Sequence, residues 1–312
     1  MSRMKRSCKQ IFARGTNWFL ALLTIALVLT GCTAGWPPTE VEHVFDDLGN
    51  LVAINGTPQR IVSLAPSNTE ILFALGLGDK VVGVTDWCDY PLEALEKEKV
   101  GSYDTPDIEK IVALTPDLIL VAYGTTMDVI NNLIGLGLTV FGIKTTDLND
   151  VLNDIKTIGE ITDKEVEAQV LTSEMESRIQ AVTDQTEELE ERPRVFYIVW
   201  HDPLWTAGSE TFIHELIEKG GGVNICQNIT SYTTISIEEV VARNPEVIIT
   251  SEWSFEWARN ETGLLASTNA SQSGRIYTCD DDLVQRPAPR LVEGLEWFAH
   301  FIHPEIFEEP ED

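Results

Sequence analysis

The sequence predicts an α/β protein of two lobes, each built on a parallel sheet, joined by one long α-helix. Three observations predict this fold. Short apolar strands alternate with amphipathic helices in both halves of the chain, a middle segment has no strand candidate, and one helix–strand unit occurs twice. Strands that are apolar along their whole length are typical of parallel sheets covered by helices on both faces. We expect a ligand cleft between the two lobes.

The first 31 residues are predicted to be an export signal. Five basic residues precede an apolar run from Trp18 to Leu29, which as a helix reaches only about 18 Å and is too short for a comfortable membrane span. The run ends in Leu29-Thr30-Gly31-Cys32, which resembles a lipobox, whose cysteine is diacylated and becomes the new N-terminus. Two acyl chains suffice for stable anchoring, so we expect Cys32 to be the lipid anchor. An uncleaved anchor and a plain signal peptide are the alternatives.

Residues 32–57 are predicted to form the lipidated tether and a short hairpin. Two apolar runs, Val41–Phe45 and Leu51–Ile54, flank a turn rich in Asp, Gly and Asn. Such a turn between two apolar runs favours an antiparallel pair of strands.

The N-terminal lobe is assigned to residues 58–158. Ser67 and Glu70 have the spacing of a capping box, which predicts the start of the first helix. Alternating apolar strands and amphipathic helices follow, with strands expected at 60–64, 81–84, 118–122 and 139–143 and helices at 71–77, 108–114 and 127–136.

The linking helix is assigned to residues 159–192 and the C-terminal lobe to 193–312. Between residues 163 and 191 apolar side chains recur at helical spacing with acidic residues on the other faces, which predicts a helix of about 40 Å that ends before Pro193. The α/β pattern then resumes, with strands expected at 195–199, 247–250 and 275–278 and helices at 211–219, 237–243 and 290–301.

An internal repeat supports two similar lobes. Residues 108–121 align without gaps with residues 237–250, and six of the fourteen pairs are identical. The same helix–turn–strand unit therefore occurs once on each side of the linking helix. Both copies carry a glutamate at the helix start, Glu109 and Glu238, where the helix dipole favours a negative charge.

Composition excludes several classes of function. The chain has 22 Lys and Arg against 50 Asp and Glu, a formal net charge of −28, and such a surface repels phosphate backbones, so no nucleic acid is expected as a partner. No catalytic motif of the GxSxG, HExxH, P-loop or GxGxxG type is present, which argues against an enzyme. Cys88, Cys226 and Cys279 lack a CxxC spacing, so neither a metal site nor a redox pair is expected. One disulfide with one free thiol is allowed, and the pair is not determined.

Aromatic residues cluster just after strand ends. In open α/β sheets ligands bind at the carboxyl ends of the strands, and rigid aromatic rings at this edge suit a large, flat, partly apolar ligand. For each ring, packing beneath a loop is the alternative. The rings concerned are Trp87, Tyr103, Tyr123, Trp200, Trp205, Tyr232, Trp253 and Trp257.

Four segments carry a resemblance to a known family: Arg60–Gly76, Asp86–Pro91, the paired glutamate helices and Arg286–Leu291. From about residue 58 to residue 303 the chain resembles the class III solute-binding proteins of ABC importers, and it is most similar to their vitamin B12-binding group. The resemblance implies two Rossmann-like lobes, a linking helix, an extracytoplasmic monomer with no cofactor of its own, and a partner permease. A corrinoid such as cobalamin is the implied ligand, with a ferric siderophore or haem as the alternative.

The resemblance also implies roles for individual residues. Aromatic contacts to the ligand fall on Trp87 and Tyr103 in the first lobe and on Trp205 and Tyr232 in the second. A further aromatic contact is expected near Ala122 or Tyr123. Polar contacts to corrin amides fall on Asp282 and Arg286, and docking onto arginines of the permease falls on Glu109 and Glu238.

Overall fold

The computed structural model describes residues 41–122 and 124–310. The predicted export signal, the lipidation site Cys32 and the predicted contact residue Tyr123 lie outside these residues. Within them, no helix combines the length and the apolar character needed to cross a membrane. Cys88, Cys226 and Cys279 are free thiols, so the disulfide that the sequence allowed is not formed.

The predicted hairpin is confirmed as the antiparallel strands β1 (Val41–Phe45) and β2 (Leu51–Asn55). Asp46 holds its turn, because its carboxylate accepts hydrogen bonds from the backbone N–H of Asn50 at 2.7 Å and of Leu48 at 3.1 Å. The same carboxylate accepts the Gly142 N–H at 3.2 Å. The hairpin is thereby attached to the last strand of the first lobe.

The N-terminal lobe is built on a parallel sheet. Its strands are β3 Ile61–Ser63, β4 Val81–Val84, β5 Glu98–Lys99, β6 Leu118–Ala122 and β7 Val140–Ile143. They lie in the order β5-β4-β3-β6-β7. The helices of this lobe are α1 Pro66–Ala74, α2 Ile108–Ala113 and α3 Met127–Gly135.

The start of α1 corrects one prediction. Ala65, not Ser67, is the N-cap residue, and Pro66 occupies the first turn, where a missing N–H costs nothing. Ser67 and Glu70 therefore do not form a capping box. Glu70 is buried and its carboxylate pairs with arginines of the other lobe.

Two helices connect the lobes. α4 (Leu148–Ile161), which the sequence did not indicate, precedes α5 (Glu165–Thr186), whose 22 residues span about 33 Å. A Cβ added at Gly159 of α4 would lie 2.5 Å from the Ala168 Cβ of α5, so this glycine allows the two helices to approach closely. Arg178 of α5 forms a bidentate salt bridge with Glu296: Nε donates to Oε1 at 2.9 Å and Nη2 donates to Oε2 at 2.7 Å.

The C-terminal lobe repeats the parallel frame and adds a second sheet. In the described part of the chain its strands are β8 Arg194–Ile198, β9 Trp200–His201, β10 Leu204–Ala207, β11 Val223–Asn224, β12 Tyr232–Thr234, β13 Val247–Thr250 and β14 Ile276–Thr278. The parallel sheet has the order β11-β8-β13-β14, and the antiparallel sheet has the order β12-β10-β9. The helices are α6 Phe212–Lys219, α7 Ile237–Arg243, α8 Glu252–Asn260, α9 Asn269–Ser273, α10 Asp281–Gln285 and α11 Leu291–Ile302.

The predicted repeat is present in three dimensions. α2 and β6 in one lobe correspond to α7 and β13 in the other, and each of these strands pairs with the first strand of its sheet, β3 or β8. A left-handed residue follows each helix: Thr115, two residues after the end of α2, has a φ of +46°, and its repeat counterpart Asn244, directly after α7, has a φ of +47°. The two halves therefore share backbone geometry as well as sequence pattern.

The buried core joins the lobes. One cluster of buried apolar residues extends from the first lobe through α4 and α5 to the second, and includes Leu72, Ile155, Met175 and Phe298. Each lobe has a smaller cluster of its own on the other face of its parallel sheet. Because apolar burial is continuous across the connection, α4 and α5 are packed parts of the core and not a free linker.

Candidate functional site

A cavity of about 310 Å³ lies between the two lobes. Its first wall belongs to the N-terminal lobe and is formed by Tyr103 and by residues at or just after the carboxyl ends of β3, β6 and β7. These residues include Leu64, Ala65, Ser67, Ala122 and Thr145. Its second wall consists of Phe212, Tyr232, Gln285, Arg286 and Pro287. The first wall is thus the carboxyl edge of a parallel sheet, where ligands of open α/β folds bind.

Two tyrosines face the cavity from different lobes. Tyr103 lies in the loop before α2 and Tyr232 begins β12, and both are about 40% exposed, at 41% and 38%. A Cβ added at Gly124, whose φ is +105°, would lie 3.2 Å from Cε2 of Tyr103. Because Gly124 has no side chain, the Tyr103 ring can approach the backbone of residue 124 closely at the edge of the cavity.

The antiparallel sheet explains how the second lobe presents its rings. Trp205 pairs with Thr234, and two residues along the strands Ala207 pairs with Tyr232. Side chains of paired residues and of every second residue share a face, so Trp205 and Tyr232 project from the same side of this sheet. Trp200, which pairs with Trp205, adds a third ring to that face.

The predicted site residues fall into two groups. Tyr103, Tyr232 and Arg286 border the cavity. Trp87, Trp205 and Asp282 do not border it: Trp87 is 61% exposed in the loop after β4, Trp205 extends the aromatic face, and Asp282 bonds Arg286 at 2.7 Å. Contact with a ligand stays a prediction for the residues of both groups. Sequence reasoning missed Phe212, which lies at the start of α6 and borders the cavity.

Arg286 is the centre of an ion cluster that connects the lobes. Its guanidinium lies 2.7 Å from the Asp89 carboxylate of the first lobe, 3.3 Å from Glu70 of the same lobe, and 2.7 Å from Asp282 of α10, the helix that Arg286 directly follows. The hydrogen bond from Arg286 lowers the pKa of Asp89 below its ordinary value. Burial raises the pKa of Asp282, against the opposing charge of Arg286.

Arg290 continues the cluster away from the cavity. It donates two hydrogen bonds to Glu70, at 2.7 and 2.9 Å, and its guanidinium lies 3.8 Å from the ring centroid of Tyr90. Glu70 is only 3% exposed, and a buried carboxylate needs partners of this kind to remain charged. Sequence reasoning missed Glu70, Asp89 and Tyr90.

A larger cavity of about 710 Å³ lies on the other side of the ion cluster, between α1, α5 and the start of α11. Its wall includes Glu70, Lys97, Glu174, Arg178 and Arg290. All three basic side chains are already engaged: Arg178 with Glu296, Arg290 with Glu70, and Lys97 with the Gly78 carbonyl at 2.7 Å. The aromatic, less charged cavity between the lobes is therefore the better ligand site.

Each lobe places a carboxyl group of raised pKa near the cleft. Asp154 on α4 accepts a hydrogen bond from the Thr145 hydroxyl at 2.6 Å, and its burial, reinforced by the charges of Asp47 and Asp150, raises its pKa to about 7. Asp281 begins α10, and its burial raises its pKa to about 6. The described residues contain no cluster of His, Cys, Asp and Glu side chains arranged to bind a metal.

Glu109 and Glu238 occupy equivalent exposed positions in the first turns of α2 and α7. The N-cap residues of the two helices are different, but each accepts a hydrogen bond from the backbone N–H three residues later. Asp107 accepts the Lys110 N–H at 3.1 Å, and Ser236 accepts the Glu239 N–H at 3.2 Å. The two carboxylates are thus presented from matching helix termini, one on each lobe.

Residues 61–283 match the family described as periplasmic binding protein. The chain belongs to this family, the solute-binding components of ABC importers. The predicted two-lobed α/β fold and the predicted family are both confirmed by this match and by the structures below.

Two curated relatives resemble most of the chain. One is an uncharacterized ABC transporter substrate-binding lipoprotein, YvrC, of Bacillus subtilis, 36% identical over 93% of this chain and 97% of that protein. The other is the vitamin B12-binding protein of Vibrio cholerae, 33% identical over 78% of this chain and 89% of that protein. By name both are solute-binding proteins and not enzymes.

Solved structures share the fold. The periplasmic vitamin B12-binding protein BtuF of Vibrio cholerae superposes with a TM-score of 0.72 at 31% identity, over 79% of this chain and 97% of that one. A periplasmic haem-binding protein from Pseudomonas aeruginosa gives the same TM-score of 0.72 at 24% identity, over 79% and 93%. This second likeness shows the fold alone, so the fold does not select the ligand.

Proposed function

We propose that this chain is an extracytoplasmic lipoprotein that binds a corrinoid between its lobes and delivers it to an ABC permease. The observation that carries the proposal is the pair Tyr103 and Tyr232, which face one cavity from opposite lobes with Arg286 beside them. Aromatic rings bury an apolar macrocycle from two sides, and a few polar groups at the edge fix its orientation.

The polar groups favour a corrinoid over an anionic ligand. A corrin ring is edged by amides, which both donate and accept hydrogen bonds, and Arg286, Asp282 and Gln285 offer the complementary groups. Haem propionates and ferric catecholates are anions and call for unpaired basic side chains. Among the described residues that border the cavity, Arg286 is the one basic side chain, and carboxylates already surround it. The vitamin B12-binding relative supports the same choice.

The cavity volume has a consequence for binding. At about 310 Å³ it lies at the small end of ligand pockets, which range over about 300–1,000 Å³, and a whole corrinoid is larger. The ligand therefore requires lobes further apart than here, or it projects beyond the cavity onto exposed rings such as Trp87 and Trp205. Both arrangements involve the residues that the family resemblance implied.

The same proposal includes the anchor and the permease contacts. Lipidation at Cys32 keeps the protein at the outer face of the cytoplasmic membrane, and the lipoprotein relative supports this location. Glu109 and Glu238, one on each lobe, dock onto basic pockets of the permease, since exposed opposite charges steer and orient such contacts.

A titration tests the ligand. The purified mature protein is titrated with cyanocobalamin, cobinamide, haem and a hydroxamate siderophore, followed by calorimetry or absorbance. We expect cyanocobalamin to bind, and Tyr232→Ala to weaken its affinity by about tenfold to a hundredfold, because aromatic anchors dominate such interfaces. Trp253→Ala, an exposed ring of α8, is the matched control and should change little. Binding of haem or siderophore without cyanocobalamin would reject the corrinoid proposal.

Charge reversal tests the docking. Glu109→Lys with Glu238→Lys should abolish uptake in cells and leave ligand affinity intact. Glu165→Lys, an exposed glutamate in the first turn of α5, removes the same charge from a similar helix terminus and should leave uptake normal. A loss of ligand affinity in the double variant would instead place the two glutamates in ligand binding or folding.

A further inference from the structure

We propose that Asp89 determines which ligands the cleft accepts. By neutralising Arg286 from the opposite lobe, Asp89 makes the site select amide-edged, uncharged macrocycles and reject those that carry carboxylates. The inference rests on the proposed corrinoid function and goes beyond it, because it names a specificity residue and the chemical class that this residue excludes.

The geometry of Arg286 supports this role. Its Nη1 lies 2.7 Å from Asp89 Oδ1 and 3.3 Å from Glu70, while its Nη2 lies 2.7 Å from Asp282 and 3.4 Å from Asp89 Oδ2. Both terminal nitrogens are thus engaged with carboxylates in charge-assisted hydrogen bonds, which are the strong ones. A ligand carboxylate reaches Nη1 or Nη2 only by displacing one of them.

The charge balance reinforces the geometry. Asp280, 4.0 Å from Arg290, adds a fourth carboxylate to Glu70, Asp89 and Asp282. Against these four stand only the two guanidinium groups of Arg286 and Arg290. The cluster beside the cavity is therefore net negative, and it repels an incoming anion while leaving amide dipoles unaffected.

Asp89 is the member of the cluster that governs ligand access. Glu70 is buried and shared with Arg290, and Asp282 lies on α10, four residues before Arg286 in the chain. Asp89 instead reaches across from the first lobe, in the loop that also carries Trp87, and its side chain is half exposed. Asp89 acts through Arg286, which borders the cavity. Of the three acidic side chains that contact Arg286, that of Asp89 is the most exposed, at 54% against 36% for Asp282 and 2% for Glu70.

The test compares two ligands that differ in one group. Cyanocobalamin and its monocarboxylic acid, in which one side-chain amide is hydrolysed, have nearly the same shape. We expect the wild-type protein to prefer the amide by about tenfold or more, the scale of one charge-assisted hydrogen bond. Asp89→Asn keeps the side-chain shape, removes the charge and should reduce that preference at least several-fold by strengthening binding of the acid. High salt should reduce the wild-type preference.

Asp86→Asn is the matched control, because it removes the same charge from the same exposed loop without contacting Arg286. It should leave the preference unchanged. Equal affinities of the wild type for both cobalamins, or the same ratio in wild type and Asp89→Asn, would overturn the specificity role and leave corrinoid binding intact.

A second pair of probes separates the inference from the proposed function. Haem and haem dimethyl ester also differ in carboxylate charge. If the wild type binds neither cobalamin, the corrinoid proposal is rejected. In that case preference for the ester, relaxed by Asp89→Asn, still upholds the role of Asp89, and preference for free haem overturns it. Binding of none of the four probes overturns both.

Discussion

The two lobes are alike in their parallel frames, down to individual hydrogen bonds. In the first lobe Arg60 donates to the carbonyls of Leu114 and Thr115, at 2.9 and 3.2 Å. In the second, Arg194 donates to the Asn244 carbonyl at 3.0 Å, and Asn244 is the repeat counterpart of Thr115. In each lobe an acid at the equivalent position also accepts the N–H of that arginine, Asp117 in one and Glu246 in the other.

The lobes differ where they meet the cleft. The first lobe presents Trp87 and Tyr103 from loops, whereas the second presents Trp205 and Tyr232 from an added antiparallel sheet. The shared frame thus fixes which edge of each lobe faces the ligand, and segments inserted at that edge decide how the rings are held. Aromatic rings on paired strands keep a fixed distance from one another because the strand register sets it. The positions of rings on loops depend instead on local packing, such as that of Tyr103 against Gly124.

The largest expected effect comes from breaking the contact between the lobes. Glu70→Ala leaves Arg286 and Arg290 without their buried partner, so we expect the free energy of unfolding in urea to fall by about 3–5 kcal/mol. Glu296→Gln, which breaks the more exposed pair with Arg178, should cost about 1 kcal/mol or less. Equal losses in the two variants would show that the ion cluster is not the main polar connection between the lobes.

A pH experiment compares the acidic groups of the two lobes. The folded pKa of Asp154 is about 7, above the value of about 3.9 in an unfolded chain. The folded protein therefore holds this proton more tightly, and the resulting stability is present below about pH 4 and lost as the pH rises to about 7. Asp154→Asn should remove this loss and be more stable than wild type at pH 8, by up to about 4 kcal/mol.

Asp281→Asn should show a smaller gain that is complete near pH 6, because the pKa of Asp281 rises only to about 6. Urea denaturation at several pH values measures both effects, and Asp86→Asn serves as the exposed control. If Asp281→Asn gained more stability than Asp154→Asn, then Asp154 would not be the carboxyl group whose pKa burial raises more.

The smallest expected effect concerns the repeated left-handed residue. Thr115 is β-branched and strained at a φ of +46°, so Thr115→Gly should stabilise the protein by about 0.5 kcal/mol after the greater flexibility of unfolded glycine is subtracted. Asn244 tolerates this backbone and also accepts the Asn269 N–H at 2.9 Å. Asn244→Gly should therefore destabilise. Thermal melting of both variants measures the difference. If both substitutions raised the melting temperature, or both lowered it, the proposed difference between Thr115 and Asn244 would be wrong.

Local patterns account for much of the fold. The hairpin, the strands β3, β4, β6 and β7 and the duplicated helix–strand unit were predicted because apolar runs and turn residues specify them within a few positions. β9 is only two residues long, and its sheet was missed because Trp205 and Tyr232 were assigned to loops. Trp253 and Trp257 were likewise assigned to a loop, yet they lie on α8.

The site was less predictable because its contacts are distant in sequence. Glu70 follows Ser67 at the spacing of a capping box, so the local pattern favoured a helix start. Its partners Arg286 and Arg290 lie 216 and 220 residues further along the chain. A local sequence pattern carries no information about an ion pair between residues so far apart in the chain. Tyr103 and Tyr232 were predicted as ligand contacts because the family resemblance and their expected places near the sheet edges both indicated them, and both border the cavity.

The 710 Å³ cavity behind the ion cluster is a suitable place for a fluorescent label that reports ligand binding. Its walls come from both lobes and from α5, so its shape changes whenever the angle between the lobes changes. A fluorescent dye on Glu174→Cys, an exposed position at this wall, would brighten or dim with occupancy of the distant cleft. Cys88 and Cys226 are buried and should react slowly with the dye, whereas Cys279 is partly exposed and is replaced by serine first. The protein then becomes a starting point for an optical sensor.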